Sequence, residues 1–290
     1  MSLLEERVAV VTGASSGVGK ATAKALAERG WRVIAHGRDA GRSAEAEAEI
    51  RAAAGNGGRV DMVRADLASL ADVARMADEI AALTDKVHVV VANAGGARAE
   101  FQLTAEGNEV TFAGNHLGHF LLTQKLMPQL RAAAASSPPR TVRVLSVSSS
   151  GHLASPPVDW DDLQYTRDWA SGRAYCLVKL YNILFTRELA RRVAGEGMVA
   201  NAMHPGVVAT NFANHCEPGM KAYMETLDGH PPEVPADTLV WLATSPEAGA
   251  VSGGYFHDRR ELAPSDAALD AAAAERLWRE SEALTAGFVA

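Results

Sequence analysis

The strongest constraint on this chain lies near its start. There the β-branched run Arg7-Val8-Ala9-Val10-Val11-Thr12 passes through Gly13-Ala14-Ser15-Ser16-Gly17-Val18-Gly19 into a helical apolar pattern over residues 18–28 that stops at Gly30. Strand, glycine turn and helix follow one another without a spacer. Glycines at such a junction permit a tight turn, let the backbone approach a pyrophosphate and let the helix pack on the strand, while free N–H groups at the helix start attract anions.

The alternation continues to the end of the chain. A second strand over residues 31–35 ends in His36-Gly37-Arg38-Asp39, and an Ala/Glu-rich helix follows. A third over residues 59–63 leads into Ala65-Asp66-Leu67 and a helix over residues 69–83, and a fourth over residues 87–92 into Asn93-Ala94-Gly95-Gly96. Residues 103–130 show helical periodicity, interrupted near Gly114 just before Asn115 and kinked or ended near Pro128. A strand over residues 141–147 empties into Ser148-Ser149-Ser150-Gly151-His152, an irregular stretch covers residues 151–172, and a long apolar helix covers residues 173–193. Strand 198–203 precedes His204-Pro205-Gly206-Val207-Val208-Ala209-Thr210, and residues 211–235, rich in Pro, Gly, His and Met, read as a flap. A helix over 236–243, a strand over 253–256 and a tail helix over 265–284 complete the chain. Such alternation, with no repeat and no linker, predicts one α/β domain over residues 1–290. Its architecture is a Rossmann-like, doubly wound parallel sheet of about seven strands with helices on both faces, a cofactor half over about 1–115 and a catalytic and substrate half over about 116–290.

Composition limits the partners. A net charge of −7 argues against a nucleic-acid backbone, and no apolar run approaches the length of a membrane span, so a soluble protein acting on small molecules is expected. The 2 cysteines, Cys176 and Cys216, cannot form a disulfide framework, and no signal-peptide core precedes the first strand. A reducing cytoplasm fits both facts.

Tyr175 and Lys179 stand at i and i+4, on one helix face and one turn apart. A phenol titrates near ~10, and a neighbouring ammonium lowers that value, each unit being worth about 1.4 kcal/mol. The pair suits a general acid/base that moves a proton on or off an oxygen, although the spacing alone also fits a surface tyrosine with a lysine neighbour. Arg38, at the end of the second strand, favours a ribose 2′-phosphate, where a carboxylate would select the free 2′-hydroxyl, and so points to NADP. Asp39 beside it is either that ribose ligand, were the strand one residue longer, or the N-cap of the next helix; the cap is preferred. Asp66 is placed at a strand end to meet an adenine ring, and Asn93 either ties two strands together or lines the cofactor, or both. A buried helical asparagine such as Asn115 has a backbone carbonyl to satisfy or a water to hold. His116 and His119 have no third ligand of suitable spacing, so no metal site is read.

Thr12-Gly13-x3-Gly17-x-Gly19, Asn93-Ala94-Gly95, Asn115, the serine after the fifth strand, Tyr175-x3-Lys179 and Pro205-Gly206 occur in that order across essentially the whole chain. Together they resemble the motifs of the short-chain dehydrogenase/reductase family. The resemblance implies Tyr175 as acid/base, Lys179 lowering its pKa and bonding the nicotinamide ribose, Ser149 holding the substrate oxygen with Ser150 as second candidate, and Asn115 anchoring a proton-relay water. It implies cofactor contacts from Gly13, Ser15, Ser16, Gly17, Val18, Gly19, Arg38, Asp66, Leu67, Asn93, Ala94, Gly95, Tyr175, Lys179, Pro205, Gly206, Val208 and Thr210. Ala92 replaces the family's usual asparagine.

Asn115-His116-Leu117-Gly118-His119-Phe120, the residues around Tyr175 and the tail Arg276-Leu277-Trp278 are similar to the retinol dehydrogenase and protochlorophyllide reductase-like branch. That branch implies NADP(H) and apolar ketones, aldehydes or alcohols; the membrane anchor of its retinoid-metabolising members is expected to be absent, and retinoids are not inferred. The family also implies a homodimer or homotetramer, pairing through the long helices after the fourth and fifth strands. Their faces include Ala133, Ala134, Leu184, Phe185 and Leu189, which core packing explains equally. The expected function is an NADP(H)-dependent oxidoreductase interconverting a carbonyl and an alcohol. A dehydratase or epimerase, and a nucleotide-sensing module without chemistry, are the alternatives.

Overall fold

The computed structural model describes residues 6–55, 57–209 and 216–289. The first half runs β1 (Val8–Val11), α1 (Gly17–Glu28), β2 (Arg32–Gly37), α2 (Ala40–Ala53), β3 (Arg59–Arg64), α3 (Leu70–Leu83) and β4 (Val89–Ala92). Next come α4 (Val110–Phe112), a π turn over Ala113–Leu117, α5 (Gly118–Lys125), α6 (Met127–Ser136), β5 (Val142–Val147), α7 (Ser171–Arg192) and β6 (Met198–Met203). The chain ends with α8 (Pro218–Glu225), α9 (Glu233–Thr244), α10 (Pro246–Gly249), β7 (Tyr255–His257), β8 (Arg260–Leu262), α11 (Asp266–Leu269) and α12 (Ala271–Thr285).

The strands form one 8-stranded sheet in the order β3-β2-β1-β4-β5-β6-β7-β8, parallel except for β8. Strands covered on both faces are near-continuous apolar runs, as β1 and β4 are, and β5 departs only at Ser146 and at Arg143, whose guanidinium donates to the carbonyls of Leu242 and Ser245. Their two-residue period divides the core. Val8, Val10, Val90, Val142 and Val144 pack with α3, α5, α7 and α12, whereas Ala9, Val11, Val89, Val91, Leu145 and Val147 pack with α1, α2 and α9. Among the described residues no helix is long and apolar enough to cross a membrane.

Several elements differ from the sequence reading. The sheet gains an eighth strand: β8 folds back on β7 about Asp258 and Arg259, both with positive φ (48° and 56°), a hairpin without the usual Asn-Gly or Asp-Gly signal. Residues 103–109 are not helical, because Leu103 pairs with Glu109 in an isolated bridge around Gly107 (φ +82°), and the Glu109 carboxylate then caps α4 by accepting the Phe112 N–H at 2.7 Å. Pro128 lies in the first turn of α6, where a missing N–H costs nothing, and so starts a helix instead of kinking one. Within residues 211–235 the part beyond His215 carries α8 and the start of α9; the positions from 210 to 215 lie outside the described residues.

The tail closes the second face. Trp278 of α12 stacks on Phe185 (5.8 Å, 10° between planes) and meets Phe120 edge-on at 5.0 Å, while Ser281 Oγ lies 2.8 Å from His116 Nε2. Ala133, Leu184, Phe185 and Leu189, considered above as pairing faces, are therefore buried in the chain's own core, and Ala134 packs partly against it. Removing Trp278 leaves a large cavity at this junction, so Trp278→Ala is expected to lower unfolding stability by about 3–5 kcal/mol. Urea denaturation measures it; a loss below about 1 kcal/mol would mean that the tail is dispensable for the core.

Candidate active site

A ligand crevice in an open parallel sheet forms where neighbouring strands send their connections to opposite faces, here between β1 and β4. The turns leaving these strands are bound to each other: Thr12 Oγ1 accepts the N–H groups of Asn93 (2.9 Å) and Ala94 (3.0 Å), and Asn93 Nδ2 donates to Thr12 O (2.8 Å). Asn93 thus does tie the strands together. Gly13 has φ +68° and a Cβ there would stand 2.9 Å from Ala94 Cα, while a Cβ on Gly19 would collide with Gly13 O. Both positions need glycine for the approach of one turn to the other.

Asp39 accepts the Arg42 N–H at 2.9 Å as the cap of α2, so it is not turned toward the crevice as a ribose ligand, and β2 ends at Gly37 with Arg38 just beyond. Helix α1 has no side-chain cap at Ser16 and no acid in its first turn, which leaves its amides facing a cavity of about 630 Å³. That cavity is lined by Gly13, Ser15, Ser16, Gly17, Val18, Asn93, Ala94, Gly95, Ser149, Tyr175, Lys179, Pro205, Gly206 and Val208. Gly19 packs behind the turn, and Thr210 lies outside the described residues. An adjoining space of about 170 Å³ shares Gly13, Ser15 and Arg42 and extends to Arg38, Asp66, Leu67, Arg98 and Asn115. The long groove, with amides at its middle and arginines at one end, has room for a dinucleotide.

At the other end, α7 presents Tyr175 beside Ser149. The two hydroxyls are hydrogen-bonded, and Ser149 Oγ also accepts the Gly151 N–H at 3.0 Å. Ser148 is buried and donates to Lys179 O (2.7 Å), and Ser150 is exposed, so of the three serines Ser149 meets Tyr175. Lys179 is buried and donates from Nζ to Val147 O at 3.1 Å, with Nζ 5.4 Å from the Tyr175 ring centre. Burial lowers the Lys179 ammonium to about 8. The desolvated surroundings raise the Tyr175 phenol above its ordinary range, and the bond from Ser149 opposes them. The expected lowering by Lys179 is thus not visible: the ammonium is spent on the carbonyl at the end of β5, and desolvation of the phenol prevails.

Asn115 occupies the π turn. Its Oδ1 accepts the Gly96 N–H (2.9 Å), and Nδ2 donates to Gly96 O (3.0 Å) and Thr111 O (2.8 Å). Its carbonyl lies 3.1 Å from His119 Nδ1, and His119 Nε2 lies 2.9 Å from Thr12 Oγ1. Burial holds His119 near 4 and His116 near 3, so both are neutral, and among the described residues no group of His, Cys, Asp or Glu is set to hold a metal ion.

Sequence reasoning missed His36, Arg42, Arg98, His119 and His152. His36 accepts the Gly13 N–H at Nδ1 (3.3 Å) and donates to Ala65 O (3.0 Å), bracing the glycine turn from β2. Arg42, in the first turn of α2, lines both parts of the groove. Arg98 is pulled below its ordinary value first by burial and then by repulsion from Arg38, while Asp66 and Glu109 oppose the shift, and Arg38 itself lies 3.4 Å from Asp66 Oδ2.

Residues 7–157 match the family model for short chain dehydrogenase. The chain belongs to the short-chain dehydrogenase family. Retinol dehydrogenase 13 of Homo sapiens is 38% identical over 286 residues, covering 96% of this chain and 84% of that relative. In the structure of Pseudomonas aeruginosa RhlG in its NADP active-site complex, 26% of residues are identical with a TM-score of 0.69, over 87% of this chain and 94% of that one. A 3-ketoacyl-(acyl-carrier-protein) reductase from Brucella melitensis complexed with NADH gives 25% identity and a TM-score of 0.66, over 87% of this chain and 96% of that one. A short-chain dehydrogenase is an oxidoreductase of alcohol and carbonyl groups that uses NAD(P)(H), and the retinol dehydrogenases are the branch this one resembles.

The lowered Lys179 value fixes a dependence of stability on pH. With about 8 in the fold against an ordinary 10.5, the folded protein releases this proton first, so stability rises with pH across that window and the burial cost is present in full below it. Lys179→Met is expected to stabilise the cofactor-free protein at pH 7 by on the order of 2–4 kcal/mol and to flatten the rise. Urea denaturation at several pH values checks both parts; a destabilised variant would contradict the desolvation argument.

Proposed function

We propose that this chain is an NADP(H)-dependent oxidoreductase interconverting a ketone or aldehyde with its alcohol, with Tyr175 as the acid/base. The observation that carries the reading is the hydroxyl pair of Ser149 and Tyr175, opening on one cavity with Lys179 a helical turn away. A carbonyl oxygen set against that pair receives two hydrogen bonds, which hold it and stabilise the charge it gains. Tyr175 then passes its proton to this oxygen, and Lys179 steadies the phenolate left behind. Asn115 keeps the turn at Gly96 in place. Amides of α1 hold the pyrophosphate, Arg38, Arg42 and Arg98 the 2′-phosphate, Asp66 and Leu67 the adenine side, and Pro205, Gly206 and Val208 the nicotinamide half. Bound along this groove, the dinucleotide supplies or accepts the hydride. The remaining cavity wall includes Ala154, Gly172, Cys176, Met224 and Leu227, without a charged side chain among the described residues, which supports an apolar substrate.

Turnover of NADPH with a panel of ketones and aldehydes, followed at the nicotinamide absorbance, tests the assignment, and product formation without nicotinamide oxidation would favour a dehydratase or epimerase. Tyr175→Phe is expected to lower kcat by about 10²- to 10⁴-fold with NADPH binding nearly unchanged, since only the proton donor is removed. Retention of more than about a tenth of the rate would end the assignment of Tyr175.

For the cofactor, hydrogen bonds to charged groups contribute roughly 1.5–3 kcal/mol each, so Arg38→Ala or Arg42→Ala should weaken NADPH by about 10- to 100-fold and spare NADH. Asp39→Asn should not improve NADPH binding, because that carboxylate serves α2. Fluorescence titration with both nucleotides decides it, and tighter NADH than NADPH binding by the unaltered protein would overturn the reading.

A further inference from the structure

His152 is buried, 2% exposed, three residues beyond Ser149 and outside the groove lining. Its Nδ1 lies 2.8 Å from the carbonyl oxygen of Ser149, and its Nε2 lies 3.1 Å from the backbone nitrogen of Ser265, in the segment between β8 and α11. Tyr255 Oη also lies 3.4 Å from Nδ1 and, as a hydroxyl, can accept or donate, so the carbonyl and the backbone N–H decide the protonation state. A carbonyl only accepts and a backbone N–H only donates, so Nδ1 carries the hydrogen, Nε2 offers its lone pair, and the ring is neutral. Burial lowers the affinity of the ring for a second proton, in agreement with that state.

The Ser149 carbonyl takes a further hydrogen bond from the His152 N–H at 3.1 Å, so His152 holds that carbonyl through both its ring and its backbone. Tyr255 of β7 packs edge-on against the imidazole, with ring centres 5.0 Å apart, and keeps it upright. The chain of contacts thus runs from the end of the sheet and the start of the tail, through the imidazole, to the serine backbone.

We propose that His152 is a positioning residue for Ser149, locking the serine turn to the chain segment at Ser265 so that the hydroxyl stays aimed beside Tyr175. The proposal rests on the reading of Ser149 as the group that holds the substrate oxygen. An error of about 1 Å in such a group can cost 10²-fold in rate, which makes a backbone anchor consequential even though it touches no substrate.

Four variants test it with NADPH and a ketone the protein reduces. His152→Leu removes both hydrogen bonds and should lower kcat by about 10- to 100-fold with KM and NADPH affinity little changed. His152→Asn supplies one donor and one acceptor and should recover a substantial part of the loss. Ser265→Pro deletes the N–H that the imidazole accepts together with a buried hydroxyl that has no partner, and φ at that position is −62°, a value proline adopts freely; kcat should fall in the same sense. In a Ser149→Ala background none of these changes should slow the enzyme further, because residues acting through a shared group are not additive. Unchanged kcat in folded His152→Leu and Ser265→Pro would overturn the proposal, and so would a loss that persists undiminished in Ser149→Ala. If His152→Leu does not fold, Ser265→Pro alone decides between these outcomes. Full activity of Ser149→Ala itself would instead strike down the reading of Ser149, and the proposal with it.

Discussion

A single hydroxyl, that of Thr12, joins the two sides of the crevice. It accepts two backbone N–H groups from the turn after β4, and its own hydrogen has the His119 imidazole at 2.9 Å and the Val91 carbonyl at 3.2 Å as acceptors. His119 passes the constraint on to the Asn115 carbonyl at the π turn. Glycine turn, Asn93 turn and π turn are therefore held by one buried polar chain, in which every donor has an acceptor. Buried networks of this kind stiffen a site when complete and are costly when broken, and the neutrality of His119 is what keeps this one complete.

Against that ordered frame stands the burial of Lys179. An ammonium between the end of β5 and α7 lowers the stability of the fold whenever it is charged, which is the state the proposed chemistry needs. The cost is offset by apolar packing some distance away, on the face where α7 meets α5 and α12 and where Phe120, Phe185 and Trp278 interlock. The two demands fall on one helix, because α7 carries Tyr175 and Lys179 at its start and Phe185 and Leu189 further along. Its length lets the second part hold what the first part strains.

The features legible in the sequence are those whose cause is local. Gly13 and Gly19 announce a turn that admits no side chain, Asp39 and Ser69 announce helix caps, and Tyr175 with Lys179 announces a shared face. The interruption near Gly114 is a π turn with Asn115 inside it. What escaped the sequence is non-local. His119 meets Thr12 across 107 positions, His152 meets Ser265 across 113 and His116 meets Ser281 across 165, and no periodicity marks a histidine for a partner that far away. Residues 103–109 misled for the opposite reason, since apolar spacing suited to a helix was overruled by Gly107 and the Glu109 cap. Strand β8 is short and exposed, so hydrophobic pattern could not reveal it.

The tail has a temporal consequence. Ser265, Trp278 and Ser281 are synthesised after every residue they complete, and chains emerge from the ribosome N-terminal part first. Until they arrive, the glycine turn and the strand ends can assemble, yet Phe120 and Phe185 lack their aromatic cover and two buried imidazoles lack a partner each. In a nascent or clipped chain without this segment the turns after β1 and β4 would still bind each other, whereas the hold on the Ser149 carbonyl and the packing around Phe120 and Phe185 would wait for it.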